Sequence, residues 1–149
     1  MAISSAICSS FKQELLQGKH SLDTSGNGGD TFKLAMYTSS ASLDATTTAY
    51  ATGNEISGSG YSAGGATLTN TGVGLNSTTA FTDFSDISFT SASFTANGCL
   101  IYNTTMAGGS GTTNAVCVIA FGGDKTVSSG TFTIQFPTND SSSAIIRLT

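Results

Sequence analysis

Apolar and polar side chains alternate over residues 131–136, with Phe132, Ile134 and Phe136 on one side of an extended chain and Thr131, Thr133 and Gln135 on the other. This pattern predicts a half-buried strand. Residues 115–121 carry no polar side chain, so both faces of that run have to be covered, as in the middle of an enclosed sheet. Residues 98–102 read the same way. Between these runs lie glycine- and serine-rich stretches at 108–111, 122–124 and 128–130, where a chain reverses at low cost. The block 96–136 therefore predicts an antiparallel meander of three or more strands. Further strands are predicted at 32–37, with Phe32, Leu34 and Met36 inward, and at 66–69, 79–84, 86–90, 94–96 and 144–148. Phe81 and Phe84 break the period of two, which predicts a turn or bulge near Asp83.

Only the amino terminus has a helical period. Ile3, Ile7, Phe11 and Leu15 recur at i, i+4, Ser4 or Ser5 is available as a cap, and Gly18 stands where a left-handed residue ends a helix. The pattern predicts a helical arm over 1–18 ahead of a β body over 19–149. A helix this short is marginal in water, so its stripe has to dock. It either completes the core of its own domain or lies in a groove on a neighbour, which makes Ile3, Ile7, Phe11 and Leu15 the candidate partner-interface residues. Residues 38–75 are mostly Ser, Thr, Ala and Gly, with Tyr50, Ile56, Tyr61 and Leu68 as isolated anchors. Such a stretch predicts a long excursion ordered mainly by partner contacts. The expected fold is all-β: a single antiparallel β-sandwich or jelly-roll-like domain with a short N-terminal helix.

Composition sharpens the exterior. Charged residues are 9% of the chain, against about 25% in an average soluble protein, and Ser plus Thr make up roughly a third. The surface is thus neutral and rich in hydroxyls. Disorder is excluded by a hydrophobic content of 38% gathered in strand-length runs. The net charge is -4, and the basic residues Lys12, Lys19, Lys33, Lys125 and Arg147 are scattered, so no phosphate-neutralising patch for nucleic acid is expected. The longest apolar run, 115–121, falls far short of the ~20 residues that cross a membrane. Residues 1–8 lack the basic segment and apolar run of a signal peptide, and synthesis in a cytoplasm is the expectation.

Candidate chemistry is sparse. Three cysteines include no Cys-x-x-Cys pair, and Cys99 and Cys117, inside apolar strands, read as buried thiols. Asp23, Ser25, Asn27 and Gly28 match the start of a calcium loop, but the twelfth position is Leu34 instead of a bidentate Glu, so a solvated turn and no metal are expected. Residues 58–63 fit a dinucleotide pattern by letter, yet Gly64 and Gly65 forbid the helix that pattern must open, and no cofactor is expected. His20 reads as a solvated residue past a helix end, and Asp83 and Asp86 as strand-end turn residues. No set of nucleophile, base and orienter emerges, and the reading is of a protein without catalytic residues. The glycosylation triplets at Asn76, Asn103 and Asn139 are expected by chance in so Ser/Thr-rich a chain.

The run Phe32-Lys33-Leu34-Ala35-Met36-Tyr37, continued through 43–50 and through 54–68 with Gly58, Gly60, Gly64 and Gly65, resembles small virion structural proteins of tailed bacteriophages. Residues 100–103, 119–124 and 130–136 are similar to the carboxy-terminal half of the same group, whereas the loop 23–30 stands outside the resemblance. The resemblance implies a capsid cement or decoration protein that binds the major capsid protein on the outer surface of the head, made in the host cytoplasm. Symmetric surface sites suggest a homo-oligomer, a trimer at or near threefold positions. Two other classes fit the residues: a tail or fibre protein that binds a host surface, and a non-viral carbohydrate-binding β-sandwich. The lack of Trp weighs against the last, although Tyr37, Tyr50, Tyr61 and Tyr102 could supply ring faces.

Overall fold

The computed structural model describes residues 2–24, 29–106 and 111–149. Along the chain the elements are β1 (Ala6–Ile7), α1 (Ser9–Leu16), β2 (Phe32–Tyr37), β3 (Ala66–Thr67), β4 (Asn70–Asn76), β5 (Thr79–Phe84), β6 (Ile87–Asn103), β7 (Asn114–Ile134) and β8 (Ile146–Leu148). A five-stranded sheet in the order β1-β7-β6-β2-β3 packs on a three-stranded sheet in the order β4-β5-β8, and the strand pairings are antiparallel. The fold is the all-β sandwich that the alternation pattern predicts. Leu34, Ala35 and Met36 of β2, Leu100 and Ile101 of β6, and Val116 and Val118 of β7 are buried at its centre. Phe32 and Phe84 join the two sheets, with ring centroids 5.7 Å apart. The apolar run of β7 is fully enclosed over Ala115, Val116, Cys117 and Val118.

The block expected to be a meander is a single hairpin of β6 and β7. The segments 122–124 and 128–130 do not reverse the chain; they are irregularities within β7. Ala96 pairs with Lys125 and the next pair is Gly98 with Ala120, so residues 121–124 stand opposite Asn97 alone. Surplus residues on one strand force it to bend. Gly122 and Gly123 absorb the bend with φ of 74° and 135°, conformations unfavourable to other residues. Asn97 Nδ2 closes the gap by donating to Asp124 Oδ1 at 2.8 Å. Phe121 and Phe132 measure the result. They are eleven positions apart, roughly 36 Å in a straight strand at ~3.3 Å per residue. Their ring centroids lie 6.2 Å apart. The hairpin is therefore folded over at an elbow, with Phe121 and Phe132 on its concave side.

The amino terminus departs from the predicted arm. Ile3 and Ile7 are not helical: Ile3 bridges Leu43, and Ala6 and Ile7 pair with Val118 and Cys117 along the edge of β7. The open edge of β7 offers Ala6 and the β-branched Ile7 a better partner than a marginal helix turn does. Ser4 N–H donates to Leu43 O at 2.8 Å, and Cys8 N–H to Val116 O at 2.9 Å. The helix begins only at Ser9, without a side-chain cap, and Gly18, with φ of 70°, follows its end as expected. Ile3 packs over Gly98, where an added Cβ would lie 2.7 Å from Ile3 Cγ2. Phe11 is 1% exposed, and Ile3, Ile7 and Leu15 are partly buried against the same core. Of the two arrangements open to the stripe, the structure has the one in which it completes its own domain.

Truncation of Phe11 should accordingly be costly. We expect Phe11→Ala to lose about 3–5 kcal/mol, as for other buried aromatics. At ~2–4 °C per kcal/mol for a chain of this size, the Tm measured by calorimetry should fall by about 10 °C. An unchanged Tm would mean that the arm lies outside the cooperative unit. Gly65→Ala provides a second check. Its φ is 74°, and a Cβ there would lie 1.7 Å from Leu34 O, so this variant should be among the least soluble on expression.

Candidate assembly surface

The excursion after β2 is held by its own chain, and one carboxylate organises it. Glu55 Oε2 accepts the Tyr50 hydroxyl at 2.7 Å, while Oε1 accepts the Tyr61 hydroxyl at 2.6 Å and the Gly64 N–H at 2.7 Å. Met36 N–H of β2 donates to the Tyr61 oxygen at 2.9 Å, which fastens the group to the sheet. The Tyr102 hydroxyl donates to Gly64 O at 2.6 Å, and that of Tyr37 to Ala51 O at 2.8 Å. Tyr50 and Tyr102 stack with centroids 4.6 Å apart. The expected dependence on partner contacts is thus replaced by internal hydrogen bonds. The same bonds withdraw these tyrosines from the role of open ring platforms.

Two further sites differ from their sequence reading. His20 is buried, not solvated. Its Nδ1 lies 3.0 Å from Asn103 Nδ2, an amide nitrogen that only donates, so Nδ1 accepts and Nε2 carries the proton toward Glu14 Oε2 at 2.7 Å. The amide orientation is fixed because Asn103 Nδ2 also donates to Asp30 Oδ2 at 2.7 Å and Asn103 Oδ1 accepts the Thr105 N–H at 2.9 Å. Asn114 Nδ2 donates to Glu14 Oε1 at 2.9 Å. The network ties α1, the segment after it and the loop end of the β6–β7 hairpin. Asn103 is fully buried, which leaves no room for a glycan. Of the calcium-like loop, residues 25–28 lie outside the described residues, and Asp30 is engaged by Asn103 and by the Ser21 N–H.

Asp83 is also fully buried, accepting the Phe84 N–H at 2.8 Å and the Ile145 N–H at 3.1 Å. Burial holds its carboxyl above the usual range, and the residue pins the C-terminal segment to β5. Asp86 instead accepts the Phe136 N–H. The bulge predicted near Asp83 falls on the partner strand, between Asn70 and Val73 of β4. Cys8, Cys99 and Cys117 are free and buried.

An apolar groove opens where the three-stranded sheet overhangs α1. Val73 pairs with Thr82 and Thr82 with Ile146, while Leu75 pairs with Ala80 and Ala80 with Leu148, so these six share one face. Thr82 and Ile146 are covered, but Val73 beside them is 58% exposed, and Leu75 and Leu148 in the next row are 73% and 53% exposed. Leu15 and Leu22 lie beneath the overhang and, with Val73, Phe81 and Leu148, line a groove of about 250 Å³ that no charged residue borders among the described residues. Leu16, next along α1, is 92% exposed. Elsewhere the exterior is hydroxylated, as in the Ser88–Thr133 and Thr95–Thr126 pairs at 2.8 Å across the hairpin. Contiguous large apolar side chains on such a surface mark an interaction site. Of the predicted interface residues, only Leu15 borders it; Ile3, Ile7 and Phe11 do not. Sequence reasoning missed β4 because Gly72 and Gly74 made it read as loop, although Val73 and Leu75 carried the period of two.

No protein-family model, curated protein or solved structure matches this chain.

The tyrosine cluster sets a pH limit on the fold. Burial, reinforced by the hydrogen bond to Glu55, pushes the Tyr50 phenol up to about 12, and burial raises Tyr37, Tyr61 and Tyr102 as well. A phenol raised in the folded state contributes stability that is fully present below its unfolded pKa of ~10 and is lost as pH climbs through the folded value. Ultraviolet titration should find little tyrosinate in native protein at pH ~10, where an unfolded chain is about half ionised, and a sharp rise on alkaline unfolding. A native signal already half developed there would contradict the cluster.

Proposed function

We propose that the protein is a structural component of a tailed-bacteriophage particle, a cement protein that binds the outer surface of the head. The observation that carries this reading is the uncharged apolar groove between the overhanging β4–β5–β8 sheet and α1, set in an otherwise hydroxyl-rich exterior. The resemblance of residues 32–68 and 100–136 to small phage virion proteins supports it. In this proposal the groove receives an apolar element of the major capsid protein, and the subunits assemble as trimers at or near threefold positions of the shell. A closed ring satisfies each subunit's patch without open-ended growth.

The test is add-back to particles that lack the protein. Wild type should attach saturably at a fixed copy number, in threefold clusters on the head. Leu75→Glu combined with Leu148→Glu should weaken attachment at least tenfold, equivalent to about 1.4 kcal/mol, while leaving the Tm unchanged because both side chains are exposed. Attachment confined to the tail would replace the cement reading with a tail or fibre role. Absence of attachment to any part of the particle would remove both.

A further inference from the structure

A second apolar opening lies on the concave side of the β7 elbow, built from different residues than the groove. Ile119 and Phe121 before the bend, Phe132 and Phe136 after it, and Ile145 of the C-terminal segment line a cleft of about 460 Å³. That volume falls within the ~300–1,000 Å³ typical of small-molecule sites. The walls are mostly aromatic and aliphatic, and among the described residues the lining contains one charged group, Lys125. Lys125 pairs with buried Ala96 across the ladder, so its side chain leaves the strand on the inner face. Among the described residues no carboxylate lies within ion-pair distance of Lys125. Its neighbour Asp124 is held by Asn97.

A lone cation on an apolar wall is complementary to a ligand with an apolar body and a single negative charge. A neutral ligand would leave Lys125 without a counter-ion. A dianion would press its second charge against Phe and Ile side chains, where an unpaired charge is costly. We propose that the elbow cleft binds a small amphipathic monoanion, a medium-chain alkyl carboxylate, with the chain among Phe121, Phe132, Phe136 and Ile145 and the carboxylate on Lys125 Nζ. This site does not depend on the particle assignment above.

Decanoate, kept below its micelle concentration, is the probe, and isoleucine methyl resonances of the full chain are the readout. Saturable shifts are expected at Ile119 and Ile145, with one decanoate bound per chain by calorimetry. Lys125→Gln, a substitution at an exposed position, should weaken decanoate binding about tenfold and leave binding of the neutral alcohol of equal chain length unchanged. Three results would each overturn the proposal: no saturable binding, equal decanoate affinity in Lys125→Gln, or shifts confined to residues around Leu22 and Leu148.

Discussion

Backbone pairing in β7 cannot be kept continuous while four of its residues face one residue of β6, and the bend at 121–124 is the consequence on which the rest of the molecule rests. Folding the hairpin over brings Phe121 onto Phe132 and extends an aromatic chain through Phe94. The pairing of β7 with β1 stops at Val118, and Ile145 lines the opening beyond. A straight hairpin of this length would present a single two-faced ribbon with too little to bury. The bend lets one pair of strands supply much of the core by itself.

The few charges of this chain serve inside it. Glu14, Asp30, Asp44, Glu55, Asp83, Asp86, Asp124 and Asp140 each accept hydrogen bonds from the protein's own groups. Acidic residues thus act as local fasteners for turns and segment ends. Charge-assisted hydrogen bonds suit the task because they are stronger than neutral ones. Glu55 is the fullest case, since three donors on separate residues meet on one side chain and order a glycine-rich stretch that propensity alone would leave loose.

Fold class was legible because the strand signal is local: the alternation around Phe132 and the apolar run around Val116 each state their burial without reference to other parts of the chain. The elbow was not legible, because Gly122 and Gly123 write the same letters for a reversal and for a bulge, and only the pairing register distinguishes them. Ile3 and Ile7 misled for a related reason. Their spacing suits a helix, but a bridge to Leu43 takes Ile3 and the distant edge of β7 takes Ile7. The burial of His20 was invisible since it depends on Asn103, 83 positions away along the chain. Of the candidate surface, Leu15 was found by periodicity, whereas Val73 and Leu75 were hidden by the glycines beside them.

The pairing of β1 with β7 carries a consequence for how the chain reaches its native state. Ala6 finds its partner at Val118, and Thr82 finds Ile146, so each sheet receives a strand only after a long stretch of intervening chain has been made. Contacts so distant in sequence close slowly, because the entropy of the intervening loop must be lost before any packing offsets it. During synthesis the N-terminal segment is available for more than a hundred residues before its place on the sheet exists. The larger sheet therefore cannot take in β1 until β7 has emerged from the ribosome, and the smaller sheet cannot be complete until β8 has.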